Sequence, residues 1–209
     1  MIQLCAPHNE PVILASASPR RVALLAQLGL VPDEILPADI NEDPLSSELP
    51  LPYAKRMARE KTALISARYP EAFVIGADTV VACGRRILPK AEDAKTAQDC
   101  MRILSGRSHR VYGGIAIAVP VKRRQNGKDI IVKSLCSHVH MSRLDDKEMR
   151  DYISHGDWDG KAGGYAIQGM AARYITKITG SYSQIMGLDI FQMSQLLKGV
   201  GFQVKPPMK

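Results

Sequence analysis

The chain alternates between two hydrophobic periods. A short apolar run at 12–15 is followed by Ser18-Pro19 and a helical pattern that stops at Gly29. This predicts a strand, then a helix over 19–28 with Ser18 as N-cap and Pro19 at its first position. Over 51–68 an apolar stripe recurs at Ala54, Met57, Ala58, Leu64 and Ile65, the spacing of one helix face. Further helices are predicted over 93–104, 145–153 and 189–198, ending near Ser105-Gly106, Gly156 and Gly199. Strands are predicted at 73–82, 111–119, 130–141 and 174–178. Residues 73–82 are apolar on both alternating faces, as in a central strand covered on each side. Asn126-Gly127 is a hairpin signal between the third and fourth of the five strands. Helices and strands intermix, so the expected fold class is α/β with a mixed sheet, and the hairpin argues against a plain doubly wound arrangement.

Composition narrows the class. The 209 residues are 45% apolar and 23% charged, ordinary for a globular protein. No apolar stretch approaches the roughly 20 residues of a membrane helix, and the start of the chain lacks the basic segment of a secretory signal. The cysteines (Cys5, Cys83, Cys100 and Cys136) form no C-x-x-C pair, which suggests reduced thiols in a cytoplasmic protein and disfavours structural zinc. Residues 32–52 hold five prolines and several acids, longer than a usual connection and so a candidate functional loop. A net charge of +7 admits a nucleic-acid binder, a membrane-surface protein or an enzyme for polyanions.

Candidate chemistry concentrates in a few places. Ser16, Ser18, Arg20 and Arg21 follow the first strand and open the first helix, where free N–H groups and the positive dipole end attract anions. Two arginines there oppose the dipole if they serve only as solvated surface. Asp78 interrupts an apolar strand, which is costly unless the carboxylate is paired, hydrogen-bonded or metal-bound. It suits a divalent-metal ligand, a general base for water, or both; a turn after Gly76 is the bland alternative. Lys61 lies on the apolar stripe of its own helix, where a lysine ordinarily snorkels to the rim. Glu42 sits in the proline-bounded loop and could serve as a second carboxylate for magnesium. Lys90 alone reads as an exposed loop lysine. In Gly160-Lys161-Ala-Gly-Gly-Tyr-Ala-Ile-Gln168-Gly169, the glycines allow close approach to a ligand, and Gln168 offers the donor and acceptor that a nucleobase edge requires. His138 and His140 share one strand face and read as a solvated face rather than a metal pair.

The segments LASASPRR (14–21), REKT (59–62), GADTVV (76–81), ILPK (87–90), LSGRSHRVYGG (104–114), GKAGGYAIQG (160–169) and ITGSYSQIMGL (178–188) resemble the Maf family of nucleotide pyrophosphatases. The resemblance implies an elongated α/β domain over 1–209, with 1–11 as an N-terminal extension and two lobes around a central cleft, as in the inosine-triphosphatase-like fold. It also implies a cytoplasmic enzyme, a homodimer, that hydrolyses a nucleoside triphosphate to the monophosphate and pyrophosphate with Mg2+ or Mn2+. SPRR, GADT and KAGGYAIQG resemble the branch acting on dTTP and UTP. By that resemblance Asp78 is the proton acceptor, Arg20, Thr79 and Gln168 are specificity positions, and Glu42, Lys61 and Lys90 fall where the family places its other polar cleft residues. From the residues themselves, Asp78 and Glu42 are the expected metal ligands, and Ser16, Ser18, Arg21, Lys61, Lys90 and Lys161 are expected to bind substrate. No membrane and no specific nucleic-acid partner is expected. Ala91 stands where the family commonly has proline, and Trp158 differs from some members. A broader pyrophosphatase for modified pyrimidine nucleotides, and a nucleic-acid-binding regulator of septum formation, are the competing readings.

Overall fold

A computed structural model describes residues 3–124 and 129–205. In chain order the strands are β1 (Gln3–Cys5), β2 (Val12–Leu14), β3 (Glu34–Ile35), β4 (Phe73–Cys83), β5 (Arg86–Leu88), β6 (Lys90–Ala91), β7 (Ser108–Ala118), β8 (Ile130–Met141), β9 (Lys161–Ala162), β10 (Ile175–Thr179) and β11 (Gln203–Lys205). The helices are α1 (Pro19–Gln27), α2 (Pro50–Arg68), α3 (Ala94–Leu104), α4 (Asp146–His155), α5 (Tyr182–Met186) and α6 (Ile190–Gly199). The large sheet has the order β10-β8-β7-β4-β2-β3, with β5 also paired to β4. β2 runs parallel to β3 and β4, and the β4–β7–β8–β10 side is antiparallel. The mixed α/β class is therefore the one the periodicities predict. Asn126-Gly127 lies outside the described residues.

β4 is the central strand, and its residues from Phe73 to Ala77 are fully or almost fully buried. One edge of β4 pairs with β7 from Val74 to Ala82. The other edge takes β2 at Phe73–Ile75 and β5 at Val81–Cys83, so residues 76–80 have no strand partner there among the described residues. The sheet has a notch at that edge. Asp78 belongs to this strand interior and not to a turn after Gly76. The predicted strand over 111–119 begins earlier, at Ser108, because its register with β8 continues to the Ser108–His140 pair.

α2 packs on the face of β4 and β7 that carries Gly76 and Gly114. An added β-carbon at Gly76 would lie 2.1 Å from Thr62 Oγ1, and one at Gly114 would lie 2.1 Å from the Ala54 carbonyl oxygen. Two strand residues without side chains thus let the helix backbone approach closely. Thr62 is itself fully buried, and its hydroxyl donates to the Ala58 carbonyl at 2.8 Å. On the opposite face of the sheet a larger core gathers Leu14, Leu24, Leu25, Phe73, Ile75, Leu197 and Phe202. β1 pairs antiparallel with β11, and this joins the two ends of the described chain. Among the described residues no helix is long and apolar enough to cross a membrane.

Candidate active site

The notch opens into a cavity of about 400 Å³. Ser16, Ser18, Arg20, Arg21, Glu42, Lys61, Asp78, Thr79, Lys90, Lys161 and Gln168 all line it. Side chains alternate along β4, so Asp78 faces α2 and Thr79 faces the opposite side of the sheet. Lys61 Nζ lies 2.7 Å from Asp78 Oδ1 and 2.9 Å from Glu42 Oε1. Lys61 is only 7% exposed and Asp78 8%, so the lysine does not snorkel to the rim. The close approach of α2 to Gly76 and Gly114 brings the aminium to the carboxylate, and this offsets the cost of burying both charges. Asp78 Oδ2 accepts no hydrogen bond from the described residues. Lys90 is exposed and stands 3.8 Å from Glu42 Oε2.

Burial opposes ionisation of Glu42, but its hydrogen bond and charge contact with Lys61 outweigh that. Lys90 and Arg21 add to the effect, and the carboxyl is held below its ordinary range. Tyr53, buried and facing Asp78 and Glu42, has its hydroxyl pushed up to about 12. Burial lowers the Arg20 and Arg21 guanidinium pKa values, and Asp78 partly restores that of Arg21.

The opening of α1 departs from the expected cap. Ser18 occupies the N-cap position but its hydroxyl makes no capping bond. The Arg21 N–H, which a capping hydroxyl would take, donates to the Ser18 carbonyl at 3.1 Å. The Ser18 N–H donates in turn to Ser16 Oγ at 3.2 Å. Pro19 has no N–H, so the Arg20 N–H, which has no acceptor among the described residues, is with the Ser18 hydroxyl the ready donor for an anion at this helix end.

Both arginines are anchored from the far end of the chain. Arg20 Nε donates to the Met186 carbonyl at 3.2 Å and Arg21 Nε to the Gly187 carbonyl at 3.0 Å. Arg21 Nη1 also donates to Ser16 Oγ at 2.8 Å. Each arginine is thus held by its Nε, and both Nη groups of Arg20 lack a protein acceptor among the described residues. This gives the ITGSYSQIMGL segment a task, holding the arginines, that its side chains do not announce.

The glycine-rich segment closes the other wall. β9 pairs with β6 through Lys90–Ala162, and this ties Lys161 and its loop to Lys90. Gly163 has φ +65, and a β-carbon there would lie 2.7 Å from Val81 Cγ1, so both conformation and space demand glycine. Tyr152 donates to the Gly164 carbonyl at 2.9 Å, and Tyr165 shares a 2.8 Å hydrogen bond with His109 Nε2. Gln168 is exposed at the cleft mouth. The sequence reading omitted His109, Tyr53 and Arg56; a histidine inside the apolar alternation of β7 was the available signal for the first.

Five cations (Arg20, Arg21, Lys61, Lys90, Lys161) and three acids (Glu42, Asp78, Asp159) line the cavity, an excess that favours a polyanion. The two carboxylates nearest the notch are hard oxygen donors of the kind magnesium accepts. Among the described residues no three His, Cys, Asp or Glu side chains form a metal-holding group. Glu42 and Asp78 supply two such donors, each with one oxygen on Lys61, so phosphate oxygens and water would have to complete the shell of any divalent ion held there. His138 and His140 lie on β8, half-buried and outside the cavity.

The family described as Maf-like protein matches residues 11–200. The chain belongs to the Maf family. This Maf chain is 53% identical over 191 residues to the dTTP/UTP pyrophosphatase of Paramagnetospirillum magneticum, with 91% of this chain and 97% of the relative covered. It is 52% identical over 195 residues to the dTTP/UTP pyrophosphatase of Rhodospirillum rubrum, covering 93% and 90% respectively. The fold is similar to that of a HAM1 protein from Coxiella burnetii, with TM-score 0.50, 14% identity and coverage of 91% and 99%.

Proposed function

We propose that this Maf protein is a nucleoside triphosphate pyrophosphatase that hydrolyses dTTP and UTP to the monophosphate and pyrophosphate. The carrying observation is Asp78, a carboxylate at the sheet notch with one oxygen bound to Lys61 and the other free, facing a cavity with excess positive charge. The relatives named above supply the nucleotide. In this reading the Arg20 main-chain N–H at the opening of α1, the Ser16 and Ser18 hydroxyls and the Arg20 and Arg21 guanidiniums hold the phosphates. Lys61, Lys90 and Lys161 offset the charge that builds up on them. Asp78 accepts a proton from water as the water oxygen bonds to the α-phosphorus and the bond from phosphorus to the bridging oxygen of pyrophosphate breaks. Glu42 and Asp78 would hold a divalent cation, Mg2+ or Mn2+, which when bound supplies charge neutralisation at the phosphates. Gln168 and Thr79, which both line the cavity, are the proposed base-reading positions.

The test is a panel of unmodified and modified triphosphates assayed with Mg2+ or Mn2+ for pyrophosphate against phosphate release. The expected result is pyrophosphate with monophosphate, dTTP and UTP leading. Asp78→Asn should lower kcat by at least about a thousandfold, while the asparagine oxygen and Glu42 keep Lys61 partnered and the protein folded. Release of orthophosphate, or near-normal turnover by Asp78→Asn, would refute the assignment.

A further inference from the structure

The loop that carries Glu42 is long and exposed, and it is held at more than Glu42. Arg56, on α2 and five residues before Lys61, grips it at two points. Its Nε and Nη2 donate to the two carboxylate oxygens of Glu48 at 2.8 and 2.7 Å, a fork-on-fork pair. Nη2 also donates to the Asp43 carbonyl at 3.1 Å, next to Glu42. Glu60, one turn later on the same helix, steadies Nη1 at 3.3 Å. The guanidinium lies 5.5 Å from the centre of the Tyr53 ring, and the Tyr53 hydroxyl donates to the Glu42 carbonyl itself. The Glu48 side chain is 9% exposed and also accepts the Leu45 N–H at 2.9 Å. The hydrogen bond from Arg56 holds its carboxyl below the ordinary range despite burial.

Two tethers on either side of a turn fix its span, and a third on residue 42 fixes its register along α2. The same helix presents Lys61 to the Glu42 carboxylate at 2.9 Å. Loop and lysine are therefore referenced to one rigid element, and the Glu42–Lys61–Asp78 arrangement inherits its precision from the arginine. We infer that Arg56, with Glu48 as its anchor, is a positioning residue that sets the reach of Glu42 into the cleft. It is not among the residues that line the cavity. The inference rests on the reading of Glu42 as a residue of the pyrophosphatase site.

Arg56→Lys keeps the charge but loses the fork and the simultaneous hold on Glu48 and Asp43. Three measurements test it in the whole 209-residue chain. Hydrogen exchange should speed up at the amides of 41–48 in Arg56→Lys while the core of β4 stays protected. For UTP with Mg2+, kcat/KM should fall about tenfold, since sub-ångström to ångström misplacement of a site residue costs one to two orders of magnitude. In a cycle with Glu42→Gln, the Arg56→Lys change should have little further effect, because the residue it positions is already disabled. Unchanged exchange at 41–48 would overturn the clamp. An equal tenfold loss with and without the Glu42 carboxylate would overturn positioning through Glu42 and leave only a structural role. If Glu42→Gln alone were silent, the site reading would fail and this proposal with it, whatever the exchange data showed.

Discussion

Replacing Gly114 by alanine perturbs the site without touching it. The new β-carbon would stand 2.1 Å from the Ala54 carbonyl oxygen and 2.9 Å from the Ala58 β-carbon. Real β-carbons essentially never approach another heavy atom closer than 3.0 Å, so α2 and β7 must part by about an ångström. The obstacle is helix backbone, which cannot rotate away as a side-chain tip would. Overpacking of this kind costs about 1–3 kcal/mol, and for a chain of this size each kcal/mol lowers Tm by about 2–4 °C. The larger effect should be on turnover. α2 carries Lys61, Tyr53 and Arg56 together, so its retreat lengthens the 2.7 Å Lys61–Asp78 contact and draws the Glu42 loop with it. Displacing reacting groups by an ångström costs about a hundredfold in rate. The assay is pyrophosphate release at saturating substrate and metal, beside thermal unfolding monitored by circular dichroism. Gly199→Ala is the control, since a β-carbon there meets nothing within 4 Å. A Gly114→Ala protein that melts several degrees lower but keeps full kcat would refute the coupling of helix approach to site geometry.

Ser18→Ala should leave stability within about 0.5 kcal/mol, not the roughly 1 kcal/mol that a capping serine contributes, because the Ser18 hydroxyl makes no cap bond. The KM for the triphosphate should rise nonetheless, so urea unfolding and steady-state kinetics on one preparation separate the two roles. His109 is buried, and burial, with a smaller push from His140, lowers its pKa from 6.5 to about 4. The unfolded chain then binds a proton that the folded chain refuses. The His109 contribution is full above pH 6.5 and is lost as pH falls towards 4, by about 3 kcal/mol over that window. Unfolding free energies at pH 7 and pH 4.5 should differ less in His109→Gln than in the parent; equal differences would sink the assignment.

What the sequence made legible follows from the length of each signal. α2, α3 and β4 are each long, α2 marked by its apolar stripe, α3 by its stop signal and β4 by an apolar run on both faces, and their predicted ranges agree with the structure to within a residue or so. β5, β6 and β9 are two or three residues long and carry no readable period, so they were missed. β6 and β9 matter all the same, for their pairing sets Lys161 and the glycine-rich loop beside Lys90. The β1–β11 pair was invisible for a different reason: its partners lie at opposite ends of the chain, and pairing across that separation leaves no local trace. The grip of Met186 and Gly187 on the arginines uses carbonyl oxygens, which every residue possesses and no sequence pattern marks.

Lys61 is the instructive residue. Periodicity correctly placed it on the apolar face of its helix, and general experience of such lysines sent its charge to the rim. Two facts reverse that outcome. Gly76 and Gly114 remove the side chains that would have spaced α2 from the sheet, and the notch between β2 and β5 leaves the β4 edge beside Asp78 without a strand partner. The lysine then finds carboxylates at 2.7 and 2.9 Å where an ordinary helix–sheet interface would offer only hydrocarbon. The two burials support each other: Asp78 without Lys61 would be an unpaired charge inside the sheet, and Lys61 without Asp78 would keep only the more exposed Glu42 as a partner. The acid in the apolar strand, the lysine on the apolar stripe and the glycines between them are one feature seen in three places. Each looks anomalous in isolation, and each accounts for the others once helix and strand are brought together.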